Sequence, residues 1–262
     1  MKYTELNSKA ISEWVEDGWI WGQPITHEMY VNASFDSRFL CLTPQKLVPR
    51  EWFKPFLTGN DRLDDCKLLG LASGGGQQIP LFSALGADCT VLDYSDKQLE
   101  SERLVAEREG YSVNIVKADM TLHLPFDDAS FDLIFHPVSN CYIEDVQHVW
   151  DECFRVLKPG GVLLSGMYNG VDYVFEDENG ECILTATNKL PYNPLKDHVL
   201  MERAMKGDGS VQFSHTMEEQ VGGQLKAGFT LTDLYEDMDD EGIGAFMPNF
   251  LATRSVKPGG KR

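Results

Sequence analysis

The chain has 262 residues, 42% of them apolar and 11% aromatic, which is enough to bury a large core in one sizeable domain or in a core plus a small cap. Its 41 acidic residues against 23 Lys and Arg give a formal net charge of -18, so nucleic acid and anionic membrane are poor partners. No apolar run is long enough to span a bilayer, the first residues lack a signal-peptide core, and the six cysteines show neither a CxxC pair nor zinc-ligand spacing; a cytoplasmic protein with reduced, mostly buried thiols and no metal is expected.

Strand and helix signals alternate from residue 66 to residue 168. Cys66–Leu71 is a short apolar run ending at glycines, which reads as a buried strand. Gln77 to Leu85 reads as a helix with Pro80 in its first turn, where a missing N–H costs nothing. Cys89–Asp93 is the second strand. Ser95 and Gln98 have capping-box spacing and open a long helix that Gly110 stops. Val113–Val116 and Phe131–Phe135 are the third and fourth strands. A helix covers 144–157, Lys158–Gly161 is a turn, and Val162 opens the fifth strand.

Such alternation implies a doubly wound α/β fold: a mostly parallel sheet with helices on both faces. The end of the chain breaks the rhythm. A helix near 217–227 and a strand at 229–234 are followed by a strand at 250–256 with no clear helix between the two strands, so the final strand can return antiparallel. The dense acidic run Glu236–Glu241 reads as a loop, since consecutive carboxylates do not converge on a metal. Residues 1–60 form an N-terminal cap segment, 61–168 the cofactor-binding core, 169–215 an inserted cap and 216–262 the end of the core. The insert carries a hairpin signal, Glu178-Asn179-Gly180 between apolar runs at 173–175 and 182–185. The tail from Lys257 is expected to fray.

Chemistry concentrates at the carboxyl ends of these strands. Gly70-Leu71-Ala72-Ser73-Gly74-Gly75-Gly76 closes a strand and precedes a helix, where absent side chains admit a ligand to the backbone. Glycines there also serve simply to pack a helix on a strand. Asp93 ends the next strand, 19 residues beyond Gly74, where a carboxylate can accept from both hydroxyls of a ribose. Together the two elements indicate an adenosine-containing cofactor and leave NAD and S-adenosylmethionine both open.

With Ala118-Asp119-Met120 after the third strand, Phe131–Pro137 at the fourth and Leu157–Gly161 beyond it, the chain resembles the class I S-adenosylmethionine-dependent methyltransferases, most closely the small-molecule enzymes of ubiquinone/menaquinone type. The resemblance implies a seven-stranded, Rossmann-like sheet with an antiparallel last strand, and S-adenosylmethionine as cofactor with S-adenosylhomocysteine as product. It also implies roles. Gly70, Ala72, Ser73 and Gly74, with Gln78, would hold the methionine portion. Asp93 would bind the ribose, and Tyr94 and Ser95 would border the adenosine. Asp119 would accept from the adenine amino group, with Met120 on the ring. His136, Pro137 and Val138 would approach the sulfonium. The family's acidic residue and second glycine are Gly70 and Ala72 here, so the anchor of the cofactor's amino group must lie elsewhere.

His136 is the candidate base, against the alternative of a histidine that merely packs beside the cofactor. Asn140, Tyr142, Trp21, Tyr168 and His215 are candidates for a small-molecule acceptor. His136-Pro137-Val138-Ser139 lacks the Asn/Asp-Pro-Pro-aromatic sequence of nucleobase amino methylases. The aromatic residues of 1–60 and of the insert form either an aromatic lid or the cap's own core. A nicotinamide-dependent oxidoreductase, loosely fitted by Gly70-x-Ala72-x-x-Gly75, and a non-catalytic cofactor-binding protein are the competing readings.

Overall fold

A computed structural model describes residues 2–177 and 184–259. Its centre is a seven-stranded sheet in the order β3-β2-β1-β4-β5-β9-β8. The strands are β1 (Lys67–Leu71), β2 (Asp88–Asp93), β3 (Asn114–Lys117), β4 (Phe131–His136), β5 (Leu157–Tyr168), β8 (Thr230–Asp237) and β9 (Phe250–Val256). β1 to β5 are parallel, and β9 runs antiparallel to both β5 and β8. The expected mostly parallel sheet with an antiparallel last strand is therefore present. A small hairpin pairs β6 (Phe175–Asp177) with β7 (Leu184–Ala186) in the insert. The Asn179-Gly180 turn and Cys182 expected there lie outside the described residues, and residues 171–174 form a 3₁₀ turn ahead of the strand.

The central strands are apolar on both sides because both faces are covered. Leu68, Val91, Leu133, Phe135, Val162 and Leu164 point to one face, and Leu69, Leu92, Ile134 and Leu163 to the other. The second face packs on α5 (Val146–Val156), whose Val146, Val149, Trp150, Cys153 and Val156 are buried, with α7 (Gly223–Ala227) beside it. The first face packs on α3 (Gln78–Ala84) and α4 (Asp96–Glu109), and beyond them on the N-terminal segment. Ile25, Phe35, Leu40, Leu42, Trp52 and Phe53 fill that face. A buried Trp or Phe is worth roughly 3–5 kcal/mol against alanine, so this segment is a structural part of the fold. It also holds α1 (Tyr3–Glu16) and α2 (His27–Val31). The insert holds α6 (His198–Lys206). None of these three helices was expected.

Local signals account for most boundaries. The Ser95 hydroxyl accepts from Gln98 N, and Gly110 ends α4 at φ 74°. The reciprocal half of the capping box is absent: Gln98 Nε2 turns to the Trp21 carbonyl instead. The expected turn at Lys158–Gly161 is a bulge inside a longer β5; register with β4 shifts from Phe131–Leu157 to Leu133–Val162, and Gly160 takes φ 84°. The acidic run is only partly loop. Glu236 and Asp237 complete β8, and the buried Asp237 carboxylate accepts from Thr43 Oγ1 at 2.7 Å and from Gln45 N and Lys46 N at 2.9 Å. That carboxylate fastens the N-terminal segment to the sheet edge. The late helix opens with a π turn, Glu218–Gly222, where the Trp150 indole donates to the Glu219 carbonyl at 3.1 Å.

Candidate active site

The glycine loop leaves β1 and turns under α4. Ala72 sits in the left-handed region at φ 48°, its N–H bonded to the Leu92 carbonyl at 2.8 Å. The loop and Asp93 meet directly: Gly74 N donates to Asp93 Oδ2 at 3.1 Å, and Ser95 N to Oδ1 at 2.9 Å. Burial raises the Asp93 pKa and these backbone donors pull it back. Each carboxylate oxygen has two lone pairs, so capacity for further donors remains. A Cβ on Gly74 would lie 2.7 Å from Gln98 Cβ and 3.0 Å from Asp93 Oδ2. Gly75, at φ 105°, leaves room for the Trp21 carbonyl of the N-terminal segment, 2.5 Å from where its Cβ would stand. Gly70 serves a different purpose: its missing Cβ makes room for Ile79 of α3, and it lines neither cavity of the cleft.

The cleft above these residues has two connected parts. The smaller, about 100 Å³, is lined by Asp93, Tyr94, Ser95, Asp119 and Met120, and is roofed by Thr4, Asn7, Ser8 and Ile11 of α1. Asp119 Oδ1 accepts from Thr121 N at 2.9 Å and Thr121 Oγ1 at 2.7 Å, which orients its carboxylate at the end of this part. The larger, about 490 Å³, is lined by Ser73, Gly74, Gln78, Trp14, Trp21, Cys41, Tyr168, Asp208, Gln212 and Phe250, among others. Trp19, Ala72, Gln98, Val138 and Tyr142 border both parts. Among the expected cofactor residues, all except Gly70 and His136 thus line one cleft.

The donor and acceptor set suits an adenosine with a charged tail. Asp93 and Asp119 provide oriented acceptors in the narrow part, Ala72 lies between the parts, and Gly74 borders the larger one. Gln98, 7% exposed, borders both, and its Oε1 lacks any hydrogen-bond partner among the described residues. That oxygen is closed to solvent and packs beside Gly75, 2.6 Å from where a Cβ would stand. Gln98 was read from sequence only as a helix-cap residue; its i+3 spacing from Ser95 gave no sign of the second position it occupies.

His136, expected near the sulfonium, is turned into the scaffold. Its ring is fully buried, with Nδ1 2.9 Å from the Leu71 carbonyl, Nε2 2.9 Å from the Asn140 side-chain amide, and its edge on Trp150. Burial lowers its pKa, and the oxygens of Leu71 and Asn140 beside its two nitrogens oppose that shift. Asn140 continues the chain to Gln220 at 2.9 Å and lines neither part of the cleft. His215 also faces elsewhere: Nε2 is 3.0 Å from the Asn140 carbonyl and 2.9 Å from that of Ile143, and the residue borders a separate cavity in the insert. Tyr142, Trp21 and Tyr168 do line the larger part. The aromatic residues of the N-terminal segment divide between the two readings: Phe35, Phe39, Trp52 and Phe53 are core, whereas Trp14, Trp19 and Trp21 are cavity wall.

The roof is tied down by long-range contacts. Ser8 Oγ donates to the Tyr94 carbonyl at 2.7 Å, and Ser12 and Ser95 share a 2.9 Å hydroxyl contact. Asn7 donates to the carbonyls of Tyr142 and Val211 at 2.9 Å and accepts from Val211 N at 2.6 Å. Among the described residues no three metal-ligating side chains converge, and no helix is long and apolar enough to cross a membrane. The five described cysteines are buried thiols; burial pushes Cys41, Cys66 and Cys141 up to about 12.

Residues 69–165 match the family described as "Methyltransferase domain". A relative in Bacillus subtilis, "Uncharacterized methyltransferase YbaJ", is 39% identical over 254 residues, covering 96% of this chain and 97% of its own. A sterol 24-C-methyltransferase of Aspergillus fumigatus is 36% identical over 105 residues, 39% of this chain and 27% of its own. Among solved structures, an S-adenosylmethionine-dependent methyltransferase from Mesorhizobium loti superposes with a TM-score of 0.60 at 20% identity, over 79% of this chain and 94% of that one.

Proposed function

This chain belongs to the class I S-adenosylmethionine-dependent methyltransferases, and from that premise we propose that its acceptor is a small molecule held in the aromatic chamber beyond Ala72 and Val138. The observation that carries the proposal is the continuity of the cleft. The Asp93–Asp119 end opens past residues shared by both parts into a chamber of about 490 Å³, a size suited to a small ligand and not to a polymer strand. S-adenosylmethionine, when bound, supplies a methyl group already activated on a sulfonium.

The protein's contribution is then placement and exclusion of water. Asp93 would take the ribose hydroxyls, its orientation held by Gly74 N and Ser95 N. Asp119, fixed by Thr121, would accept from the adenine amino group beside Met120. With the family's acidic residue replaced here by Gly70, the methionine portion would lie against Ser73, Gly74 and Gln78 in the wall of the larger part. Trp14, Trp19 and Trp21 would close the chamber against solvent. With His136 enclosed and doubly bonded, an acceptor that must lose a proton would give it to solvent or to a group it brings.

Calorimetry with S-adenosylmethionine and S-adenosylhomocysteine tests the cofactor half. Binding of either is expected; failure of the folded protein to bind both would remove the proposal. Release of S-adenosylhomocysteine in the presence of small-molecule acceptors, and none with nucleic acid, tests the acceptor half.

A further inference from the structure

The chamber beyond the cofactor cleft has an uneven distribution of charge. Among its described lining residues none is Lys, Arg or His, and Asp208 is the one carboxylate. Burial pushes Cys41 and Cys141 up to about 12 and holds Tyr142 and Tyr168 above the ordinary phenol value, so these groups stay neutral. Asp208 is an exposed residue at the rim of the chamber, and its carboxylate is oriented from one side. Its Oδ1 accepts from Ser210 N at 3.0 Å and Ser210 Oγ at 2.8 Å, while Oδ2 takes no hydrogen bond from the described residues. Its charge bears on the Tyr142 hydroxyl. Tyr142 in turn lies 6.2 Å from Trp14, ring centre to ring centre, and Trp14 5.5 Å from Trp19. The carboxylate therefore lines the same chamber as this row of aromatic rings.

An anionic acceptor would find no Lys, Arg or His among the described lining residues of this chamber, in a protein that already carries -18. A cation would meet a carboxylate and the negative faces of the rings. We infer that the acceptor carries a cationic nitrogen, drawn to Asp208, on an apolar ring or chain that lies against Trp14, Trp19 and Tyr142. The inference rests on the methyl-transfer reading, since it takes the Asp93 end and the Ser73–Gln78 wall for the cofactor and leaves the aromatic side of the chamber to the acceptor. It makes Asp208 a specificity-determining residue and assigns it no part in the methyl transfer itself.

Three indole probes share one ring and differ in end charge: tryptamine, tryptophol and indole-acetate. Their affinities are measured by calorimetry on protein first saturated with S-adenosylhomocysteine. Tryptamine is expected to bind about fivefold tighter than tryptophol, and indole-acetate weakest of the three. Asp208→Asn keeps an acceptor for Ser210, and it is expected to bring tryptamine to within about twofold of tryptophol with S-adenosylhomocysteine affinity and the thermal midpoint unchanged. Equal affinities of the three probes, no measurable tryptamine binding, or a preference that survives Asp208→Asn would overturn the inference. Failure to bind S-adenosylhomocysteine at the outset would instead strike the methyl-transfer reading.

Discussion

The two ends of the cleft are built by different means. At the cofactor end, the determinants are the ends of β1, β2 and β3 and the backbone of one loop. Their contacts are short in sequence, such as Ser95 N to Asp93 or Thr121 N to Asp119, or they run between adjacent parallel strands, as from Gly74 N to Asp93. At the chamber end, the walls come from α1, the 41–44 segment, β5, the stretch after α6 and the start of β9. These are joined by side-chain contacts spanning most of the chain, such as Asn7 with Val211 and Thr43 with Asp237. A site made of backbone at regular spacing tolerates change in the chain around it. A site made of side chains from many distant segments changes with any of them, which is how one cofactor end can serve different acceptors.

That contrast can be broken where the two ends are joined. In β5, a Cβ on Gly166 would stand 2.0 Å from the Leu42 carbonyl, with no flexible side chain to yield. Gly166→Ala is expected to lift the 41–44 segment from the sheet and cost about 3 kcal/mol or more, read as a drop in urea midpoint. A neutral result would mean that this segment is loosely held. At the cofactor end alone, Asp93→Ala removes the proposed ribose acceptor and is expected to weaken S-adenosylhomocysteine binding about 100-fold by calorimetry. Circular dichroism should still show a folded protein.

Beneath the loop, the buried Glu102 accepts from Gly76 N at 2.7 Å while its other oxygen lacks a partner among the described residues, and burial raises its pKa to about 8. The folded protein therefore keeps this proton above the pH at which the unfolded chain releases it. Stability from this group is complete below the ordinary Glu value and is lost as pH rises through about 8. Between about pH 6 and 8 the loss should be about 2 kcal/mol, and Glu102→Gln should flatten the profile of thermal midpoint against pH. An unchanged profile in the variant would exclude the assignment.

Smaller effects sharpen the contrast. Trp14 lines the chamber and not the narrow part of the cleft, so Trp14→Ala should weaken acceptor binding about tenfold while leaving S-adenosylhomocysteine affinity intact. An equal loss in both would show that the two ends are not separable. Ala72→Gly relieves a left-handed alanine and should stabilise the fold by about 0.5–1 kcal/mol, measured by urea unfolding.

The extent to which the site is legible in the sequence follows the same division. Asp93, Asp119 and the Gly74 turn can be located because their positions depend on strand ends, which apolar runs and glycines mark. Gly70 stands in the same motif but serves helix packing, a distinction that depends on where Ile79 lies. His136 occupies the position expected for a group near the reacting centre, yet its ring turns toward Leu71 and Asn140, because the space behind β4 is bounded by Trp150. Asp208 and Gln212 have no local signature at all.

The amino-acid sequence by itself determined the alternating core, the antiparallel closing strand and the residues at the carboxyl ends of the first three strands, because periodicity and turn chemistry are local properties. Tertiary structure alone decided which tryptophans fill the core and which wall the chamber, which way His136 faces, and that α1 roofs the cleft. Those outcomes depend on contacts between residues as many as 204 positions apart, where no local pattern carries information.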